Sequence, residues 1–359
     1  MGALISRVLF QPPSSPTPLH PNRYFFLTTE SGLKFPAFFI RQPLARYTVL
    51  YSHGNAEDLG MIYNYLLELS RLLYINIMAY DYSGYGPKSI SNMIQDVKPS
   101  EENCYENINA AYEHLTTIEM IRPQDVVLYG RSVGSGPSCY LAEKLCKYKE
   151  NQIGGLILHS PFLSVVRVVL DMGLENSYDV FPNVSRVPNI TCPTFIIHGT
   201  SDCIVPFHHG KDLYEAFSGK SKYPPFWADN MGHNNIESEM GSLFLKKLHM
   251  FFLHLLKGPR DSSKIKRNVR AAAFAMNLKQ KSCLRNGTVK SDNDFSLRKS
   301  NGGKHRKLER KSSPKSVKEF GEQENRQVET SEIQHWCRVS STLDYGEIEC
   351  SYVSTSLSS

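Results

Sequence analysis

Six strand-like apolar runs, at 47–52, 75–81, 125–130, 153–159, 194–199 and 223–228, several of them nearly unbroken, constrain the fold of this 359-residue chain more than any other feature. A strand that shows one face to water alternates polar and apolar residues, whereas a strand covered on both faces by helices reads as a continuous apolar run. The segments between the runs are long enough for crossover helices. The expected fold is therefore α/β and doubly wound, with a mostly parallel central sheet and helices on both faces. Residues 243–256 carry Lys246, Lys247, His249 and His254 among leucines and phenylalanines, the pattern of a surface helix with one apolar face. That helix is expected to close the domain.

The flanks read differently. Residues 11–22 are rich in Pro and Ser, which predicts an extended lead-in rather than a helix. Beyond residue 257 the composition turns to Lys, Arg, Ser, Asn and Gly without a sustained period, so residues 258–359 are expected to be a disordered tail. The organisation is thus a lead-in over 1–22, a folded domain over 23–257, and the tail. Charge follows the same boundary. Residues 1–257 hold 21 basic and 23 acidic side chains, and the tail holds 20 and 12, so the net +6 originates in the tail. Within it, residues 260–318 hold 18 basic and 4 acidic side chains, and residues 319–359 hold 2 and 8. The count argues against a globally basic nucleic-acid-binding fold, and no nucleic-acid partner is expected.

The eight cysteines form no C-x-x-C pair and no regular framework, which argues against a zinc site and a disulfide scaffold. No secretory signal is evident, so a cytoplasmic location is expected. The start Met1-Gly2-Ala3-Leu4-Ile5-Ser6 fits the pattern in which Gly2 accepts a myristoyl group. One such chain binds a membrane with a constant of only about 10⁴ M⁻¹, so a second attraction is required. The basic stretch 260–318 could supply it at an anionic surface. Peripheral contact with the cytosolic face of a membrane is the expectation that follows.

The chemistry is carried by Gly130-Arg131-Ser132-Val133-Gly134, a G-x-S-x-G sequence between the strand-like run 125–130 and a helix-like stretch at 138–148. That is the strand–turn–helix setting of a nucleophile elbow, which exposes the serine above the sheet. A serine hydroxyl is a weak nucleophile near neutral pH, so a histidine must take its proton and a carboxylate must orient the histidine. In this arrangement they follow in the order Ser, acid, His. Asp202, just past the run 194–199, and His233, in the loop after the run 223–228, fit that order. Asp81 also ends a strand but precedes Ser132, and it reads as structural. His159 and His198 end strands and are expected to be satisfied locally. His208 and His209 lie at an expected helix start, and His53 reads as a loop brace. The backbone N–H of Val133 supplies one oxyanion donor, and Asn55, or Ala56 beside it, supplies the other from the loop after the run 47–52. No metal or organic cofactor is required.

Taken together, HGNAED, DYSGYG, GRSVGSGPS, HGTSDCIVP and MGHNNIE resemble the α/β-hydrolase superfamily, with HGNAED placed after its third strand and DYSGYG after its fourth. More narrowly, residues 20–256 resemble the depalmitoylase branch of the α/β-hydrolase-domain-containing proteins, membrane-associated serine hydrolases that remove palmitate from cysteine thioesters. The resemblance implies an α/β-hydrolase fold and Ser132, Asp202 and His233 as its triad. Animal members carry an N-terminal cysteine cluster, whereas the first cysteine here is Cys104, and they end near the closing helix. The stretch 161–193, where a cap would sit, is 33 residues long and allows only a short cap. An acylated protein is the expected substrate. A lipid ester, as for a lipid esterase or lysophospholipase, or a peptide, as for a serine peptidase, would use the same triad. A catalytically idle, membrane-recruited interaction module is the alternative of another kind.

Overall fold

The computed structural model describes residues 10–85, 97–147, 152–170 and 179–256. Residues 1–9, with Gly2, and 257–359, with the basic stretch, lie outside them. Eight strands form one sheet: β1 Phe25–Thr28, β2 Lys34–Ile40, β3 Thr48–Ser52, β4 Asn76–Tyr80, β5 Val126–Arg131, β6 Gly155–His159, β7 Thr194–Gly199 and β8 Phe226–Ala228. Their spatial order is β1-β2-β4-β3-β5-β6-β7-β8. From β4 to β8 all pairs are parallel, while β1–β2 and β2–β4 are antiparallel. The six apolar runs are the six parallel strands.

The two antiparallel strands are the part that the apolar runs do not announce. β2 is interrupted by Pro36, which has no N–H to give the ladder and weakens a strand reading. It is tolerated near the strand's start, where Pro36 faces Phe26 of β1 and its carbonyl accepts the Asp81 N–H at 3.0 Å. β8 begins at Phe226, three residues later than the run at 223 suggests, because Pro224 and Pro225 cannot donate to β7.

Alternation along the strands sorts the core into two layers. Leu50, Met78, Leu128, Leu156, Leu158 and Ile196 face one side, and Val49, Tyr51, Ile77, Val127, Ile157 and Phe195 face the other. Helices cover both. On the first side lie α2 Glu101–Glu113 and α3 Ser135–Cys146, through Cys104, Ile108, Leu141 and Leu145. On the second lie α1 Leu59–Leu73, through Leu59, Ile62, Leu66 and Leu69, and the closing helix. Each of those stripes has the three- and four-residue spacing of one helix face. Between β6 and β7 the chain forms the short helices α4 Val165–Leu170 and α5 Asn183–Arg186. The remaining α-helices among the described residues are α6 Phe207–Ala216, α7 Ile236–Glu239 and the closing helix α8 Gly241–Leu256.

This order locates the site. The chain leaves β3 for β4 on one side and then returns past β3 to build β5 on the other, so β3 and β5 flank the switch point. In open parallel sheets a crevice forms there, outside the carboxyl ends of the strands. Ser52 and Gly130 are register partners at those ends, so HGNAED and GRSVG emerge side by side.

Candidate active site

β5 ends at Arg131, a single 3₁₀ turn spans Ser132–Gly134, and α3 starts at once, three residues before position 138. Pro137 is its third residue, within the first turn, where the backbone N–H groups have no partner inside the helix. Ser132 has φ 50°, a left-handed conformation that costs a non-glycine residue about 1–3 kcal/mol and persists only where the surroundings impose it. Two glycines show how they do. A Cβ on Gly134 would lie 2.1 Å from the Ser52 carbonyl oxygen, and one on Gly130 would lie 2.4 Å from the Gly134 carbonyl oxygen. The turn is pressed against β3 and against itself, and the serine is turned outward.

The acid and histidine loops meet by a similar approach. Thr200 N–H donates to the Ala228 carbonyl at 2.9 Å and Ser201 N–H to the Met231 carbonyl at 2.9 Å, so the chain after β7 runs along the chain after β8. Asp202 Oδ1 accepts the Ile204 and Val205 N–H groups, each at 2.9 Å, and Oδ2 accepts His233 Nδ1–H at 2.7 Å. With that proton on Nδ1, His233 Nε2 is an acceptor, and it lies 3.0 Å from Ser132 Oγ. Ser132 and His233 are each 8% exposed and Asp202 6%, so this chain of hydrogen bonds is held largely away from bulk water. Burial works to raise the Asp202 carboxyl, but hydrogen bonds from His198, His233 and the Val205 N–H outweigh it and hold the group well below the usual carboxylate range. An ionised acceptor locked on both oxygens fixes the tautomer and the aim of His233. The arrangement can take a proton from a hydroxyl and stabilise the imidazolium that results.

Val133 is the second residue of the 3₁₀ turn, so its N–H is one that helix geometry leaves without an internal partner. Asn55 stands in the turn after β3, where its Oδ1 accepts the Gln11 N–H at 2.9 Å and the Tyr85 hydroxyl at 2.8 Å. Ala56 beside it has φ 57°. The lead-in reaches this loop: Phe10 is buried and meets Phe181 edge-on with ring centroids 6.1 Å apart, and Thr17 N–H donates to Asp58 Oδ2 at 2.7 Å. Asp58 also caps α1 through the Met61 N–H at 2.9 Å.

The other titratable groups take local roles. Asp81 accepts the Leu59 N–H at 3.0 Å at the start of α1, and burial, reinforced by Asp58, pushes its carboxyl well up. His53 bonds its own loop through the Gly54 carbonyl at 2.8 Å. His198 Nε2 donates to the Val205 carbonyl at 2.8 Å, bracing the Asp202 loop. His159 Nδ1 lies 3.0 Å from the Tyr129 hydroxyl, and burial pulls the ring down to about 4. His209, in α6, accepts the Leu163 N–H at 3.2 Å. Among the described residues no group of three or more His, Cys, Asp or Glu side chains could hold a metal ion, and no helix is long and apolar enough to cross a membrane.

Beneath the site lies a set of charged residues to which the sequence pattern assigns no role: Arg131, Glu57 and Glu237, together with Asn234.

Residues 91–258, which contain Ser132, Asp202 and His233, match the prolyl oligopeptidase family. Alpha/beta hydrolase domain-containing protein 17B of Xenopus tropicalis is 38% identical over 229 residues, covering 63% of this chain and 74% of that protein. The 17C protein of Mus musculus is 36% identical over 234 residues, covering 65% of this chain and 68% of that protein. Among solved structures, the Pyrococcus furiosus esterase Pf2001 superposes with a TM-score of 0.54 at 16% identity, over 69% of this chain and 98% of that one. At that identity the likeness speaks of the fold, which is that of the α/β hydrolases.

Proposed function

We propose a reaction and a substrate for this chain, which belongs to the alpha/beta hydrolase domain-containing protein 17 family and is a serine hydrolase: it cleaves acyl thioesters and esters through an acyl-serine intermediate, and its substrate is an S-acylated protein. The observation that carries the mechanism is the hydrogen-bonded line from Ser132 Oγ through His233 to Asp202, at 3.0 and 2.7 Å. Ser132 Oγ attacks the acyl carbonyl while His233 Nε2 takes its proton. The Val133 and Asn55 N–H groups receive the negative charge on the carbonyl oxygen. The carbon–sulfur bond breaks and the cysteine sulfur either takes the proton back from His233 or leaves as thiolate, in which case the imidazolium gives its proton to solvent; the neutral imidazole then activates the water that releases the fatty acid and returns the proton to Ser132.

Support for a thioester substrate comes from the resemblance to the depalmitoylase branch and from the length of the stretch 161–193, 33 residues, which has room for only a short cap over a protein-bound acyl group. Gly2 acylation and attraction of residues 260–318 to anionic lipid would bring the enzyme to such substrates at the cytosolic face of a membrane. A peptidase reading draws on the prolyl oligopeptidase match, which spans all three triad residues. The test compares wild type with Ser132→Ala on a palmitoyl thioester, the matched oxygen ester, a lysophospholipid and a peptide anilide. Ser132-dependent cleavage led by the thioester is the expected result. Leadership by the lipid or the anilide would move the substrate and keep the triad. Absence of turnover together with absence of fluorophosphonate labelling at Ser132 would sink the mechanism and leave the interaction module.

A further inference from the structure

The residue before the nucleophile carries a full charge into a nearly closed space. Arg131 is 9% exposed, and its guanidinium makes a hydrogen bond in two directions. Nη1 donates to Glu57 Oε1 at 2.7 Å, and Nη2 donates to Asn234 Oδ1 at 2.9 Å. Nε faces Glu237 Oε1 at 3.7 Å. Each partner belongs to a different piece of the site. Glu57 stands in the oxyanion loop and turns its other oxygen onto the Gly54 N–H at 2.6 Å, so it clasps that loop from within. Asn234 follows His233 directly. Glu237 lies in α7, just past the histidine loop, 3.5 Å from His159 Nδ1. The space is already full: a Cβ on Gly54 would lie 2.8 Å from Arg131 Nη1 and 3.0 Å from Glu57 Oε2.

Burying one cation with two carboxylates is not an economical source of stability, because desolvation offsets most of the attraction between them. A planar fork that meets two loops at fixed angles does supply geometry, and a lysine in its place would offer one shorter, freely rotating nitrogen without that fork. We infer that Arg131 is a positioning residue for the reaction proposed above: it locks the oxyanion loop through Glu57 and the histidine loop through Asn234 onto the strand that carries Ser132. The donors to the oxyanion, the base and the nucleophile reach the reacting carbon from three separate loops. The guanidinium is the part that ties all three to one rigid strand end. Misplacement by about 1 Å at such a site costs on the order of 10²-fold in rate.

The inference rests on the acyl-serine reading, and the experiment separates the two. Full-length wild type, Arg131→Lys, Asn234→Ala and the double variant are compared for kcat and KM on the preferred ester or thioester, for inhibition by an alkyl boronic acid, and for thermal midpoint. Arg131→Lys keeps the charge and is expected to stay folded, with KM within about threefold of wild type and kcat lower by about 10- to 100-fold. The boronic acid, which becomes tetrahedral on the serine, should weaken in parallel with kcat, a change that a merely structural role would not produce. Asn234→Ala removes only the histidine-side arm and should lose less, about 3- to 30-fold, and the double variant should lose less than the product of the two, because both act through one contact. An unchanged kcat in Arg131→Lys, a loss carried by KM with boronate affinity intact, or full multiplicativity would each overturn the inference. A wild type that neither turns over nor labels at Ser132 would instead overturn the reading beneath it.

Discussion

Asp202→Asn changes one oxygen to an NH₂ group at the point where the proposed triad is most tightly determined. In the native loop the carboxylate accepts two backbone N–H groups on Oδ1 and His233 Nδ1–H on Oδ2, with His198 Nε2 also 3.4 Å from Oδ2 while its main bond goes to the Val205 carbonyl at 2.8 Å. The amide has one acceptor oxygen and cannot satisfy both sides. Turning the oxygen toward Ile204 and Val205 keeps two hydrogen bonds and leaves the NH₂ facing His233. Turning it the other way sets the NH₂ against two N–H donors in a buried pocket, a cost of about 1–3 kcal/mol for each unsatisfied group. The first orientation therefore wins. The NH₂ then donates to Nδ1, the ring proton moves to Nε2, and the imidazole presents a donor where Ser132 needs an acceptor. With the geometry intact and the tautomer wrong, kcat should fall by about 10³- to 10⁴-fold, or roughly 4–5.5 kcal/mol of barrier.

The assay is steady-state hydrolysis of a chromogenic short-chain ester beside a thermal melt across pH. Asp202 is held below its unfolded value of about 3.9, so its ionisation stabilises the fold above that pH, and the benefit fades as pH falls toward the native value. The melting difference between wild type and Asp202→Asn should thus be largest near neutrality and shrink below about pH 4. A variant that keeps more than a tenth of wild-type kcat would refute the tautomer argument. So would a melting difference that grows on acidification.

His159, drawn down to about 4 from about 6.5 in the unfolded chain, stays neutral while the unfolded state takes up a proton; stability should be complete above pH 6.5 and fall by up to about 3 kcal/mol by pH 4. His159→Phe should flatten that part of a pH-dependent denaturation curve, and an unchanged slope would count against the buried neutral ring. Gly134→Ala would drive a methyl to 2.1 Å from the Ser52 carbonyl, so it should cost at least about 1–3 kcal/mol and abolish fluorophosphonate labelling. Gly241→Ala, with no atom within 4 Å, should be near neutral in both, and similar effects at the two sites would sink the packing argument. Phe10→Ala removes a buried ring, a change that costs about 3–5 kcal/mol in a core. Here it should cost well under that in urea denaturation, because a segment held by Phe181, Asn55 and Asp58 can undock locally. A full-sized loss would make residues 10–17 part of the cooperative core.

What could be read in advance, and what could not, divides by the range of the interaction. The elbow is a local event: an apolar strand, Gly130, Ser132, Gly134 and a helix lie within a few consecutive residues, and the acid and histidine follow from chain order and strand ends. The six buried strands are legible because helices on both faces forbid polar positions. β2 is not, because Pro36 breaks its run, and it is recognisable only once β4 is there to pair with. The start of α3 is obscured because Ser132–Gly134 turn without a linker, so the helix begins inside the motif itself. Arg131 and Glu57 stand 74 residues apart, and nothing local in GRSVG or HGNAED says that the two charges are buried against each other. Phe10 is likewise one aromatic ring beside a Pro- and Ser-rich stretch, and its partner Phe181 lies beyond six strands.

The proposed triad alone leaves ester, thioester and peptide substrates open, but the two proton transfers assigned to it treat their leaving groups unequally. Each reaction begins with His233 taking the Ser132 proton, and each therefore depends on the Nε2 lone pair. They differ at collapse of the tetrahedral intermediate. An amine cannot leave as its anion and must receive the proton from the same Nε2, whereas a thiol of pKa about 8.5 can leave as thiolate with little help. Asp202→Asn spoils base and acid together, so the loss on an anilide should exceed the loss on a thioester of the same acyl group. The difference should approach the 10²- to 10⁴-fold typical of general acid catalysis where leaving-group departure limits the rate. The asymmetry reports that His233 protonates the leaving group, and a thioester, which needs that proton least, is the substrate that such a site turns over most readily when the acid is weak. Equal losses on the two substrates would mean that His233 does not protonate the leaving group in the limiting step, and the preference for thioesters could not then be argued from the triad.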